Sequence, residues 1–279
     1  MSERHTLRGK SLFISGATRG IGLAIACRAA REGASIAVVG KTVEPRPELP
    51  GTLDEACHEI ERLGGRALPL ACDIRDEAQV ESAVARAVAE FGGLDVLVNN
   101  ASAIFLAGTV DTPMKRFDLM HAVNVRGTYV CGQKCIPHLA RSSNPHILTL
   151  APPIDMRPEY FAPHLGYSLA KFGMSLCTLG WARELAPLGI AANCLWPRTA
   201  IDTAAVRNLL GGAELAARSR KPSIVADAAF EILSRGSREQ TGQFLLDEDV
   251  LRQAGVSNFD TYAVTPGAEL AADFFLPES

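Results

Sequence analysis

Three short stretches of the 279-residue chain carry residues whose types and spacing suit them to chemistry. The first, Gly16-Ala17-Thr18-Arg19-Gly20-Ile21-Gly22, follows the apolar run Ser11-Leu12-Phe13-Ile14-Ser15 and precedes a segment with helical spacing. Glycines there permit a tight turn and a close approach of backbone N–H groups to a phosphate. The helix that follows turns its partial positive charge toward the same anion. The second is Gly40-Lys41-Thr42, after the apolar run Ile36-Ala37-Val38-Val39. A free ribose 2′-hydroxyl is bound at such a place by Asp or Glu. This chain has Lys41 instead, with Arg19 in the glycine loop able to join it. Two cations and no carboxylate suit a 2′-phosphate, and hence NADP(H). The third is the pair Tyr167 and Lys171, four residues apart and therefore on one face of a helix. A free tyrosine titrates near 10, too high to exchange protons readily at neutral pH. A neighbouring ammonium favours tyrosinate and lowers that value.

The elements that must hold these groups alternate between strand and helix. After the first two strands come Arg66 to Ala71, Asp95 to Val98, His146 to Leu150, Ile190 to Leu195 and Phe244 to Leu246. Helical spacing runs from Gly20 to Glu32, through Val80, Val84, Ala87, Val88 and Phe91, from Pro113 to Ala140, and from Tyr167 to Leu185. Strands that are apolar throughout, alternating with helices, indicate an α/β protein: a doubly wound parallel sheet with helices on both faces, Rossmann-like. No composition break divides residues 1–279, so one domain is expected. Residues 247–279 read as a C-terminal tail, packed on it or on a neighbouring subunit through Tyr262, Val264, Phe274, Phe275 and Leu276. Prolines at 45, 47 and 50 predict an exposed loop from Lys41 to Pro50. Those at 152, 153, 158 and 163 predict an irregular stretch from Ala151 to Pro163.

Composition excludes several classes. Hydrophobic residues at 47% and charged residues at 21% are ordinary for a globular chain, which rules out a disordered or collagen-like one. A net charge of -3 gives no basic excess for nucleic acid. No apolar run approaches the roughly 18 residues of a membrane span, and the N-terminus carries no secretory pattern. The seven cysteines are scattered and odd in number, as expected for reduced, buried thiols in a cytoplasmic protein. Cys131, Cys135 and His138 share a helix face that reads as packing, not a metal corner, and no metal is expected. His121 and His164 read as bystanders, and Trp181 and Phe172 as core.

The glycine loop, Asp73-Ile74 after the third strand, Asn99-Asn100-Ala101 after the fourth, Asn124 in the long helix and Tyr167-x-x-x-Lys171 occur in that order. Together they resemble the short-chain dehydrogenase/reductase family over residues 9 to about 246. Lys41-Thr42, Pro152-Pro153, Trp196-Pro197-Arg198-Thr199-Ala200-Ile201, Asn258-Phe259-Asp260 and Phe274-Phe275-Leu276 resemble its hydroxysteroid dehydrogenase-like group. Eukaryotic members of that group often add a sterol-carrier domain, for which this chain is too short.

The resemblance implies roles. Gly16 to Gly22 would hold the pyrophosphate, Asp73 and Ile74 the adenine, and Asn100 and Ala101 the adenosine ribose. Lys171 would bond the nicotinamide ribose, and Ile201 and Thr203 would contact the carboxamide. Tyr167 would exchange the proton, with Lys171 lowering its pKa and Asn124 holding a water between Lys171 and solvent. The substrate would be a hydroxyl or carbonyl compound, largely apolar and lipid-like. The helix around Asn124 and the one after Tyr167 would make subunit contacts in a dimer or tetramer.

Two residues depart from the family pattern. Pro152 stands where serine normally holds the substrate oxygen, and proline offers neither hydroxyl nor N–H. Thr149, Asp155 and Ser168 are candidate substitutes. Arg198 stands where glycine is usual, free to reach the cofactor, an acidic substrate or only solvent. Losing an oriented donor typically costs about 100- to 1,000-fold in rate. A dinucleotide-binding sensor or scaffold with weak catalysis is therefore the alternative expectation.

Overall fold

The computed structural model describes residues 6–45 and 50–276. Seven strands, β1 (Ser11–Ser15), β2 (Ser35–Gly40), β3 (Arg66–Ala71), β4 (Val96–Asn99), β5 (His146–Leu150), β6 (Ala191–Trp196) and β7 (Phe244–Leu246), form one sheet. The order is β3-β2-β1-β4-β5-β6-β7 and every pairing is parallel. Strands β1, β2, β4, β5 and β6 are almost wholly buried, because helices cover both faces and no side chain along them reaches water.

One apolar cluster lies under α1 (Gly20–Ala30), α2 (Leu53–Arg62), α8 (Ser223–Leu233) and α9 (Asp247–Gln253), and joins Leu12, Ile14, Ile36 and Val38 to Ile25, Ile60 and Ile232. The other lies under α3 (Glu77–Phe91), α5 (Thr128–Leu139) and α6 (Leu165–Glu184), and joins Phe13, Leu97 and Ile147 to Val84, Cys135 and Trp181. Trp181 and Phe172 are both core residues, as read. A short α7 (Gly212–Ala217) lies in the crossover between β6 and β7.

The expected strand bounds hold for β1, β3, β5 and β7 and shift by one residue in β2, β4 and β6. Helix α2 lies between the predicted 41–50 loop and β3, where no element was expected. Its signals are a capping box between Thr52 and Glu55 and buried Leu53, Ala56, Cys57 and Ile60 at helical spacing. Helix α8 is apolar on nearly every side, with seven of its eleven residues buried, so it shows no period to read. The long helix predicted over 113–140 is three segments: α4 (Met114–Met120), a π-helical stretch His121–Gly127, and α5. The stretch after β5 is irregular except for a 3-10 turn, Pro158–Tyr160, where proline's fixed φ suits the first position. Residues 46–49, including Pro47 of the predicted 41–50 loop, lie outside the described residues.

The chain order reverses between β1 and β4, which opens a crevice beyond the carboxyl ends of those strands. The glycine loop, Lys41, Asn100 and the stretch after β5 all leave the sheet at that edge.

Candidate active site

The glycine loop is shaped by its contacts with the end of β4. Gly16 and Gly20 have φ of 68° and 56°, a region where only glycine is unstrained. A Cβ on Gly22 would stand 2.5 Å from the Gly16 carbonyl oxygen and 2.5 Å from Asn100 Nδ2. Asn100 Nδ2 donates to the carbonyls of Ser15 and Gly16 at 3.0 and 2.9 Å. Ser15 Oγ accepts from the backbone N–H of Asn100 and Ala101, both at 3.1 Å. Sequence reading assigned Asn100 to the cofactor; its side chain also welds the loop to β4.

A cavity of about 680 Å³ runs along this edge, within the usual range for small-molecule sites. Its walls include Gly16, Thr18, Arg19, Gly20, Ile21, Lys41, Asp73, Ile74, Asn100, Ala101 and Thr203. Four other residues expected at the cofactor do not line it, among them Lys171, which lies at the closed end described below. Ala17 and Gly22 are buried beneath the loop, and Ile201 turns into the core under α8. Ala204, Ala205, Asn208 and Leu209, from the crossover after β6, also line it.

At the β2 corner, Arg19 Nη2 donates to Thr42 Oγ1 at 2.9 Å and to the Gly51 carbonyl at 2.7 Å. Lys41 Nζ lies 3.3 Å from Asp73 Oδ2 and its side chain is 58% exposed. Hydrogen bonds from Arg75, with Lys41 adding charge, hold the Asp73 carboxyl well below the usual carboxylate range.

The other end of the crevice is closed. Tyr167 and Lys171 share one face of α6 and are 5% and 3% exposed. They belong to a small aromatic cluster with Tyr160, Phe172, Trp196 and Phe275. Lys171 Nζ donates to the Leu150 carbonyl at 2.8 Å and stands 5.0 Å from the Trp196 ring centre. The expected lowering of the tyrosine is absent in this arrangement. Burial pushes Tyr167 well above its ordinary value, and the Asp273 carboxylate adds to the effect. Burial also pushes Lys171 down to about 8, against the pull of Asp273. Asn124 spends both polar atoms on Ala103: Oδ1 accepts from its N–H at 2.7 Å and Nδ2 donates to its carbonyl at 3.0 Å. Its side chain therefore pins the irregular segment after β4 to the π-helical stretch, and any water there would rest on backbone.

The three hydroxyl or carboxyl candidates for the Pro152 position are committed elsewhere. Thr149 Oγ1 accepts from Thr178 Oγ1 at 2.8 Å within the core. Ser168 Oγ donates to the Tyr160 carbonyl at 2.6 Å. Asp155 is ion-paired to Arg157 at 2.8 Å. Arg198 also finds a structural partner, Asp249 Oδ1 at 2.6 Å. Cys131 and Cys135 are core, with their thiols pushed up by burial, and among the described residues no three His, Cys, Asp or Glu gather as a metal requires.

Two further residues adjoin Tyr167: Asp273, which sequence reasoning missed, and His164, which it read as a bystander. Asp273 Oδ1 accepts from Trp196 Nε1 at 2.8 Å, and burial pushes this carboxyl up to about 7. His164, one turn before Tyr167, is buried with Nε2 unpartnered among the described residues, and burial lowers its pKa. The motif that carries Tyr167 gives no hint of Asp273, which comes from the far end of the chain.

The short chain dehydrogenase family model matches residues 10–211. "Hydroxysteroid dehydrogenase-like protein 2" of Danio rerio is 53% identical over 270 residues, which cover 97% of this chain and 64% of that protein. The chain thus spans between 51% and 65% of the length of the curated relatives it matches. A structure from Xanthomonas campestris described as a dehydrogenase is 56% identical, with a TM-score of 0.95, over 98% of this chain and 100% of that one. Likeness in fold alone extends to carveol dehydrogenase from Mycobacterium avium in complex with NAD, at 24% identity, TM-score 0.74, over 87% of this chain and 97% of that one. By sequence, topology and the order of its motifs, the chain belongs to the short-chain dehydrogenase family, in its hydroxysteroid dehydrogenase-like group.

Proposed function

We propose that the protein is an NADP(H)-dependent oxidoreductase acting on a hydroxyl or carbonyl carbon of a largely apolar, lipid-like substrate. The observation that carries this reading is one continuous edge. The glycine loop and the Lys41–Arg19 corner lie at one end, and Tyr167 with Lys171 at the other. A dinucleotide fits the residues present: Gly16 to Gly22 for the pyrophosphate, Asp73 and Ile74 for the adenine, Asn100 and Ala101 for its ribose, Thr203 for the carboxamide. When bound, the nicotinamide supplies or accepts the hydride.

The chain's own groups handle the proton. Tyr167 gives its hydroxyl proton to the oxygen of a reduced carbonyl, or takes it in the oxidative direction. Lys171, a turn along α6, binds the nicotinamide ribose and steadies the tyrosinate once water reaches the pair. Lys41 and Arg19 supply positive charge at the β2 corner, where a 2′-phosphate would compete with Asp73 for Lys41.

Exposed Leu169, Leu176 and Leu179 on α6, with Tyr129 on α5, form an apolar stripe that supports a homo-oligomer, dimer or tetramer. Sedimentation of Leu176→Glu should then give a smaller species than the wild type. The thiols, six of seven buried, support a reducing, cytoplasmic setting. The test of the function is a carbonyl screen with NADPH: Tyr167→Phe should lower any turnover by about 100- to 10,000-fold. A second reading, a dinucleotide-binding sensor, is favoured by Pro152 and by the closure over Tyr167. Turnover unchanged in Tyr167→Phe would leave that reading standing.

A further inference from the structure

Phe275 occupies the space in front of Tyr167. It is 1% exposed and stacks on Tyr167 with ring centres 5.9 Å apart and planes 29° apart. His164, Phe172 and Trp196 surround it at 5.8, 5.5 and 5.7 Å. So many ring contacts resemble a core residue, but the attachment of this segment does not. Its backbone is pinned upstream: Ala271 N–H donates to the Arg218 carbonyl, Ala200 N–H to the Ala271 carbonyl and Asp273 N–H to the Arg198 carbonyl. Past Asp273, among the described residues, no backbone hydrogen bond ties residues 274–276 to the rest of the domain. Phe274 N–H bonds the adjacent Asp273 carboxylate, and its partly exposed ring meets His164 edge-on at 5.4 Å. Phe275 therefore hangs from a short arm hinged at Asp273. In the docked position burial and the Asp273 charge both oppose ionisation of Tyr167, which is a poor arrangement for moving a proton.

We propose that Phe275 is a displaceable plug in the substrate slot, and that the slot takes a carbonyl or alcohol carried on a flat apolar ring system. The ring would replace the Phe275 ring between His164, Phe172 and Trp196, with the oxygen at Tyr167. This rests on the oxidoreductase reading for the identity of the slot. Binding by such a ring displaces the 274–276 arm about Asp273, which stays bonded to Arg198 and Trp196, and sets the ligand oxygen against the Tyr167 hydroxyl. A small carbonyl compound without a ring cannot compete with Phe275 and leaves the arm docked.

The test uses the full chain, 2-acetylnaphthalene as the ring-bearing probe and butanone as the small one. Binding is measured by equilibrium dialysis and arm position by hydrogen exchange of amides 274–276. Phe275→Ala should tighten 2-acetylnaphthalene by about tenfold, because the competing ring is gone, and leave butanone unchanged. Phe275→Leu, which keeps the cluster filled, should give a smaller tightening. In the wild type, saturating 2-acetylnaphthalene should speed exchange at 274–276, and butanone should not. Weaker binding in Phe275→Ala would make Phe275 a fixed wall and overturn the proposal. So would saturation without faster exchange, or no binding to either protein. NADPH oxidation is read separately. Tightening without any oxidation would sink the oxidoreductase reading and leave the plug intact.

Discussion

The two ends of the crevice are built on opposite terms. At the cofactor end, backbone conformation sets the shape: positive φ at Gly16 and Gly20, and a Gly22 with no room for a Cβ. The result is an open cavity with charged side chains at its rim. At the substrate end, side-chain rings set the shape, and the residue that fills it comes from the C-terminal arm. An open end defined by backbone tolerates almost no change in covalent structure. A closed end defined by packing is regulated by whatever moves the packing.

The largest expected effect lies at the rigid end. Gly22→Ala would drive a methyl against the Gly16 carbonyl and Asn100, and no flexible tip is available to yield. Overpacking of this kind costs about 1–3 kcal/mol. Titration should show NADPH affinity reduced by about 5- to 150-fold, and thermal unfolding a lower Tm. An unchanged affinity would break the contrast.

Asn124→Ala comes next. It strips both partners from the Ala103 backbone in a buried site, where each unsatisfied group costs about 1–3 kcal/mol. Denaturant unfolding should register a loss of about that size, at a position between the two ends.

The closed end should respond to pH where the open end does not. Asp273 has its pKa raised on docking, to about 7, with Lys171 facing it from α6 and Asp247 from the end of β7. A carboxyl raised in this way supports docking fully at low pH and loses that support as pH rises through 7. Lys171, lowered by burial to about 8, acts in the opposite direction, because above pH 8 the docked amine sheds the proton that burial disfavours. His164 is already neutral above pH 6.5, since burial lowers its pKa. In a Trp181→Phe background, acrylamide quenching of Trp196 should therefore increase from pH 6.5 to 7.5 and fall back towards 8.5. Flat quenching would show that the arm is not held by these charges.

The smallest effect is expected at Arg198. Its guanidinium is 40% exposed and bonds Asp249, so Arg198→Ala should cost under about 1 kcal/mol and leave NADPH affinity unchanged. A large loss of affinity would return Arg198 to the cofactor.

The same contrast governs what the sequence discloses. The cofactor end is legible because its parts are local: a strand, a glycine run and a helix in sequence, with Lys41 directly after β2. The strands are legible because burial on both faces leaves them apolar throughout. Helix α8 is hidden for the same reason, being apolar all round. The substrate end is not legible because its contacts are long-range. Nothing near Tyr167 announces Asp273 or Phe275, and the free choice among Thr149, Asp155 and Ser168 closes only when Thr178, Arg157 and the Tyr160 carbonyl are seen beside them. Arg198 is similar: its partner lies on α9, after a strand and two helices. The pKa of Tyr167 reverses direction because spacing shows the lysine and not the burial.

The central claim is that the open end is an NADP(H) site. The most direct test is a fluorescence titration of the purified protein with NADPH and NADH, repeated on Lys41→Ala. The account predicts tighter binding of NADPH and a loss of that preference, about five- to tenfold, in Lys41→Ala with NADH unaffected. Equal affinity for both, unmoved by the substitution, would contradict the 2′-phosphate assignment, and binding of neither would contradict the site itself.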